Sequence, residues 1–125
     1  SPHGETILFT SGTTSQPKGV LLSKDAYEAN ELALRDLISF DDQQAIRIIL
    51  TNPLYHANST AMQRFSFRRQ NTHLELWDKF SNRIWNRVVH VLETTSDRIV
   101  MPLVARHIDF LFIKTNSRRQ SIIIP

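Results

Sequence analysis

The sequence predicts an α/β fold, with strands alternating with helices around a largely parallel sheet. Three observations carry this. Short apolar runs of strand length recur along the 125 residues. Between them lie segments whose apolar residues fall at helical spacing. Proline, glycine and asparagine breaks separate the two kinds of segment.

Residues 6–9 read as a strand that enters a polar loop, and the apolar run Val20-Leu21-Leu22 leaves that loop. Ser23 is placed as a helix N-cap, with Asp25 favourable in the first turn. From there Ala26, Ala29, Ala33 and Leu37 recur at helical spacing beside Leu34 and Ile38, and the helix is expected to end within 39–42. Residues 46–50 form a nearly continuous apolar run, typical of a buried strand, and Asn52-Pro53 stops it. A helix is expected over 59–69 and a strand over 73–77. Another helix is expected over 82–92, with Ile84, Trp85, Val88, Val89 and Leu92 inward. Residues 98–101 read as a strand stopped by Pro102. A helix is expected next, with Val104, Ile108, Leu111 and Phe112 on one side, and then a last strand over 121–124.

At this length the chain is one domain or a piece of one. It contains no cysteine, which removes disulfide frameworks and cysteine-bearing zinc sites. The five histidines lack ligand-like spacing, so no metal site is assigned. No apolar segment approaches membrane-spanning length, and a cytoplasmic location is expected. The net charge of +3 suits anionic partners such as nucleotides. The arginines are scattered and the aromatic residues keep core-like spacing, which argues against nucleic acid. Arg68-Arg69 and Arg118-Arg119 read as solvated surface charges, and Trp77, Trp85 and Phe112 as core residues. The apolar ending Ile122-Ile123-Ile124 reads as a truncation, because an unpaired apolar edge invites association.

The stretch from Thr10 to Gly19 is the chemically informative one. Glycine lets backbone N–H groups turn toward an anion. Hydroxyls on Thr10, Ser11, Thr13 and Thr14 add donors, and Lys18 adds a mobile positive charge. That is the chemistry of a phosphate cradle. The spacing of Gly12 and Lys18 is not that of a Walker A loop. The bland reading of these residues is a polar surface turn.

The order Thr10-Ser11-Gly12-Thr13-Thr14-Ser15-Gln16-Pro17-Lys18-Gly19 resembles the signature loop of the adenylate-forming superfamily, except for Ser15 where a glycine is usual. That superfamily includes acyl-CoA synthetases, luciferases and peptide-synthetase adenylation domains. Pro53-Leu54-Tyr55-His56-Ala57-Asn58-Ser59 resembles a second landmark of the family, with Ser59 replacing a glycine. Weaker likenesses occur at residues 73–80 and 94–102, and the finer flavour is similar to crotonobetaine/carnitine–CoA ligases.

The resemblance implies part of the N-terminal, AMP-binding domain, truncated at both ends. It implies binding of ATP phosphates by Thr10, Ser11, Gly12, Thr13, Thr14 and Lys18, with Lys18 and His56 as catalytic residues. His56 stands open between a satisfied histidine at a strand end and, by resemblance, a residue beside the acyl substrate. ATP, magnesium and coenzyme A are the implied cofactors. A carboxylic acid and the remainder of the same enzyme are the implied partners, and self-association is expected of the piece alone. Two rivals remain: an adenylation domain that loads a carrier protein, and a non-catalytic remnant acting as an interaction module.

Overall fold

The computed structural model describes residues 5–10, 18–39, 41–54, 56–105, 108–115 and 122–124. The elements run β1 (Glu5–Thr10), β2 (Lys18–Ser23), α1 (Lys24–Ile38), β3 (Ile46–Leu50), α2 (Ala57–Arg68), β4 (Thr72–Leu76), α3 (Asn82–Thr94), β5 (Arg98–Ala105), β6 (Ile108–Lys114) and β7 (Ile122–Ile124). β1 and β2 form an antiparallel hairpin in which Glu5 opposes Ser23 and Thr10 opposes Lys18. The remaining strands make one sheet in the order β4-β3-β5-β6-β7.

The expected parallel arrangement is found in β4, β3 and β5, where Ile48 faces Leu74 on one side and Val100 on the other. β6 and β7 join antiparallel. The β3-α2-β4 crossover follows from the sequence. β3 is buried along almost its whole length, so it must be a central strand covered on both faces.

Side-chain alternation along β3 builds two cores. Ile46, Ile48 and Leu50 pack with Ile38 of α1, Met62 and Phe65 of α2, Val100 of β5, and Leu111 and Ile113 of β6. Ile49 points the other way, into Ile84, Val88 and Val91 of α3 with Ile99 and Met101 of β5. The result is a three-layer arrangement, with α1 and α2 on one face of the sheet and α3 on the other.

Ser23 caps α1 as expected, accepting from the Ala26 N–H at 3.2 Å. The helix ends at Ile38, where the Ser39 N–H reaches the Arg35 carbonyl at 2.9 Å and the Arg98 guanidinium donates to the Ile38 carbonyl. Asn71 turns the chain from α2 into β4 with a φ of 54°, in the left-handed region that asparagine tolerates.

Two expectations are corrected. Residues 104–105 and 108–112 are not helical: β5 continues to Ala105, and β6 begins at Ile108. Val104, Ile108, Leu111 and Phe112 fit a helical period by coincidence. The run from Ile108 to Ile113 is dominated by β-branched and aromatic side chains. Leu111 and Ile113 enter one core, whereas Phe112 packs against the other, which is a period of two. Pro102 does not stop β5 either. The β3–β5 register ends at the Ile48–Val100 pair, so Pro102 lies beyond the ladder on that flank.

On α3 the inward residues are Ile84, Val88 and Val91. Trp85 and Val89, expected inside, are 37% and 51% exposed. Trp85 instead stacks edge-on against Phe80 and Phe112, with centroids 5.7 and 5.4 Å away.

A charged network ties α3 to the sheet. Glu75 on β4 accepts from Arg87 Nε at 2.7 Å, from Trp77 Nε1 at 3.0 Å and from Arg47 Nη1 at 3.3 Å. Arg47 also reaches Asp97 Oδ2 through Nε and Nη2, at 3.2 and 3.0 Å. Burial pushes the Glu75 carboxyl up. Hydrogen bonds from Arg87 and Trp77, the Arg87 charge and the Arg47 hydrogen bond outweigh it and hold the group below the usual carboxylate value.

Candidate functional site

The hairpin register fixes the two residues that flank the glycine- and hydroxyl-rich segment. Thr10 ends β1 and Lys18 begins β2 as direct partners, so residues 11–17 connect two antiparallel strands at their paired ends. A rigid ladder thus fixes both backbone ends of the segment. Of the expected phosphate-binding set, Thr10 and Lys18 lie on the described backbone. Ser11, Gly12, Thr13 and Thr14 fall outside the described residues.

His56 lies at the carboxyl end of β3, immediately before α2. Its N–H donates to the Pro53 carbonyl at 3.0 Å. Its own carbonyl accepts from the Thr60 N–H at 2.9 Å and from Thr60 Oγ1 at 3.1 Å, which makes it the first acceptor of the helix. Gln63 Nε2 donates to the Leu54 carbonyl at 3.1 Å and holds the preceding turn against α2. His56 is half-buried. In open α/β sheets ligands bind outside the carboxyl ends of the strands, and His56 occupies such a position. The hairpin belongs to one sheet and His56 follows a strand of the other, so the two parts of the candidate site are carried by separate pieces of the fold.

Two buried hydroxyls flank this region. Thr51 Oγ1 follows β3, and Ser59 Oγ lies in the first turn of α2; neither has a hydrogen-bond partner. Ser59 is fully buried. Its burial accounts for the small residue at this point, since little more than a hydroxymethyl group is accommodated.

The sequence of this chain also fits a family pattern. The pattern of the AMP-binding enzyme family matches residues 5–120. The chain belongs to that family. A CoA ligase from Gibberella moniliformis is 31% identical over 88 residues, covering 70% of this chain and 14% of the relative. An indoleacetate–CoA ligase from Aromatoleum aromaticum is 48% identical over 52 residues, covering 40% of this chain and 9% of the relative. The crystal structure of ATP-bound MatB from Rhodopseudomonas palustris superposes with a TM-score of 0.55 at 25% identity, covering 72% of this chain and 17% of that one. This AMP-binding family chain therefore spans a small part of the length of its relatives.

Magnesium finds no fit in what is described. Among the described residues no group of three histidine, aspartate or glutamate side chains comes together to hold a metal. Among the described residues no helix is long and apolar enough to cross a membrane.

Sequence reasoning missed the buried polar residues of the α1–α2 side. Arg69, read as a surface charge, is 9% exposed and donates to the Asp41 and Gln44 carbonyls at 2.6 and 2.7 Å. Its neighbour Arg68 is exposed, as expected. Arg118 and Arg119 lie outside the described residues. Adjacent arginines at the end of a helix point in different directions, about 100° apart, so one can face inward. The dipeptide carries no signal of which one does.

Proposed function

We propose that this chain is part of the AMP-binding N-terminal domain of an ATP-dependent carboxylic acid:CoA ligase, and that it supplies the loop holding the β- and γ-phosphates. The supporting observation is the placement of the signature: Thr10 and Lys18 are direct partners in an antiparallel ladder, with the hydroxyls and glycine between them. In this reading Ser11, Gly12, Thr13 and Thr14 donate to phosphate oxygens, and Lys18 brings a positive charge to the same group.

The reaction is two-step acyl transfer. The substrate carboxylate oxygen forms a bond to the α-phosphorus of ATP, the bond from that phosphorus to the bridging oxygen breaks, and pyrophosphate leaves with the electron pair. The sulfur of coenzyme A then displaces AMP from the acyl carbon. Negative charge accumulates on the departing phosphates, so preorganised donors and Lys18 stabilise the transition state more than bound ATP. His56, at the carboxyl end of β3, stands on the acyl side of the site. The CoA ligase activities named for both curated relatives favour coenzyme A over a carrier protein as acceptor. A cytoplasmic setting, where ATP and coenzyme A are supplied, belongs to the same reading.

Carboxylate-dependent exchange of labelled pyrophosphate into ATP tests the reading. The longer enzyme that contains this segment is expected to catalyse the exchange, and its failure across a panel of acids would sink the proposal. The 125-residue chain by itself is expected to show none, because the family site draws on residues beyond those present.

The chain alone is also expected to self-associate. Ile7 and Leu21 are direct partners on the hairpin and are 57% and 59% exposed. Leu32 on α1 is 62% exposed and Phe67 on α2 is 78% exposed. Exposed large apolar side chains on the hairpin, α1 and α2 offer surfaces for association. Light scattering over a concentration series should show mass rising with concentration; a constant monomer mass would count against it.

A further inference from the structure

Arg69 is a buried cation held entirely by neutral acceptors. Besides the Asp41 and Gln44 carbonyls, its guanidinium donates to the Gln70 carbonyl at 3.1 Å and to Thr72 Oγ1 at 3.2 Å. Its Nε–H is buried without an acceptor. The carboxylates nearby are engaged elsewhere. Asp42 takes Arg35 Nη2 on both oxygens, at 2.8 and 3.0 Å. Glu31 pairs with Arg68 at 3.4 Å and with Arg64 at 3.9 Å. Asp41 Oδ1 accepts from the Gln43 N–H at 2.8 Å. Burial is the largest influence on Arg69 and pushes it below the usual arginine value; Asp42 and Asp41 oppose the fall, while Arg35 and Arg98 add to it. A guanidinium in this state gains from an anion that its neighbours do not provide.

A cavity of about 420 Å³ opens beside it. Arg35, Arg68, Arg69, Gln43 and Gln70 contribute to its wall together with the paired Glu31 and Asp42. Three guanidiniums stand against two carboxylates in this wall, and with Arg35 paired to Asp42 and Arg68 to Glu31, Arg69 is the positive charge left over. The volume falls in the range of about 300–1,000 Å³ common for small-molecule sites. We propose that this groove between α1 and α2 binds a phosphate-type oxyanion, with Arg69 as the adjacent uncompensated positive charge and with donors from Gln43, Gln70 and the guanidinium N–H groups of Arg35 and Arg68 beyond those given to Asp42 and Glu31. Guanidinium forks match the tetrahedral oxygens of phosphate in pairs. The site is separate from His56. It lies at the amino ends of β3 and β4, whereas His56 lies at the carboxyl end of β3. The length of α2, about 18 Å for its helical rise, separates them.

Equilibrium dialysis with labelled orthophosphate tests this, and it needs no cooperative melt and no monomeric state. Arg69 itself is a poor target, because its removal leaves three carbonyls without the guanidinium that they accept from. The chain carrying Lys18→Ala is used as the reference, so that the hairpin loop contributes least. It is expected to retain saturable binding of phosphate. Adding Gln70→Glu places a carboxylate on an exposed position of the cavity wall and is expected to weaken binding about tenfold or more through like-charge repulsion. Circular dichroism checks that the fold is kept. Gln43→Glu provides a second, independent variant with the same expectation. Competition with glycerol phosphate distinguishes the source: equal displacement means that esterified phosphate enters, and weak displacement means that the free ion is preferred. Absence of saturable binding in the Lys18→Ala chain, or unchanged affinity in both glutamate variants, would overturn the proposal.

Discussion

On the proposed reading of this segment as part of a carboxylic acid:CoA ligase, replacing Lys18 with alanine in such an enzyme is expected to slow acyl-adenylate formation about 10²-fold or more. The backbone of Lys18 is held by the hairpin ladder opposite Thr10, so its position does not depend on a ligand. In the proposed reading its charge acts on the phosphates as they leave. Its loss should therefore appear mainly in the rate of adenylation, with a smaller rise in KM for ATP. Single-turnover kinetics with ATP and the acid substrate separates the two effects. Unchanged kinetics in the variant would reduce the loop to a structural turn.

Glu75→Ala is expected to destabilise the fold by about 2 kcal/mol, discounted from the ~3–5 kcal/mol typical of breaking a fully buried pair. The carboxylate is the shared acceptor of Arg87, Arg47 and Trp77. The side chains of Glu75, Arg47 and Arg87 are 20%, 19% and 31% exposed, so water relieves part of the loss. Without Glu75, Arg87 has no partner holding α3 against β4, while Arg47 keeps Asp97. The same network has a pH signature. The Glu75 carboxyl sits below its ordinary value of 4.5 in the folded chain, so its contribution is present above about pH 4.5. It is lost as pH falls through the lowered folded value. Denaturant unfolding of both proteins at neutral pH and across the acid limb measures this. Equal midpoints at neutral pH would remove Glu75 from the account.

The early part of the chain was the most legible. A Ser23 cap, a continuous apolar run over 46–50 and a helical period over 82–92 each specify their element through short-range chemistry, and each element is present. The later part was not. The segment beyond Pro102 carries apolar residues that satisfy a period of 3.6 and a period of 2 at once. Only its pairing with the far edge of β5 selects the strand. Pro102 reads locally as a stop, yet it is harmless where the partner strand on one side has ended.

The functional residues divide in the same way. By itself the sequence determined the α/β class and the family, and the proposed phosphate loop rests on its order of small and hydroxylic residues. It could not determine that Arg69 is buried beside exposed Arg68, that Glu75 gathers two arginines and an indole, or that Trp85 lies outside the core. Those facts depend on which face of each helix meets the sheet, and on which carboxylates and carbonyls from distant segments arrive beside it. Burial and charge compensation are properties of the packed layers, since a side chain's dielectric surroundings are set by neighbours 25 or 50 residues away, as for Arg69 with Gln44 and Arg47 with Asp97.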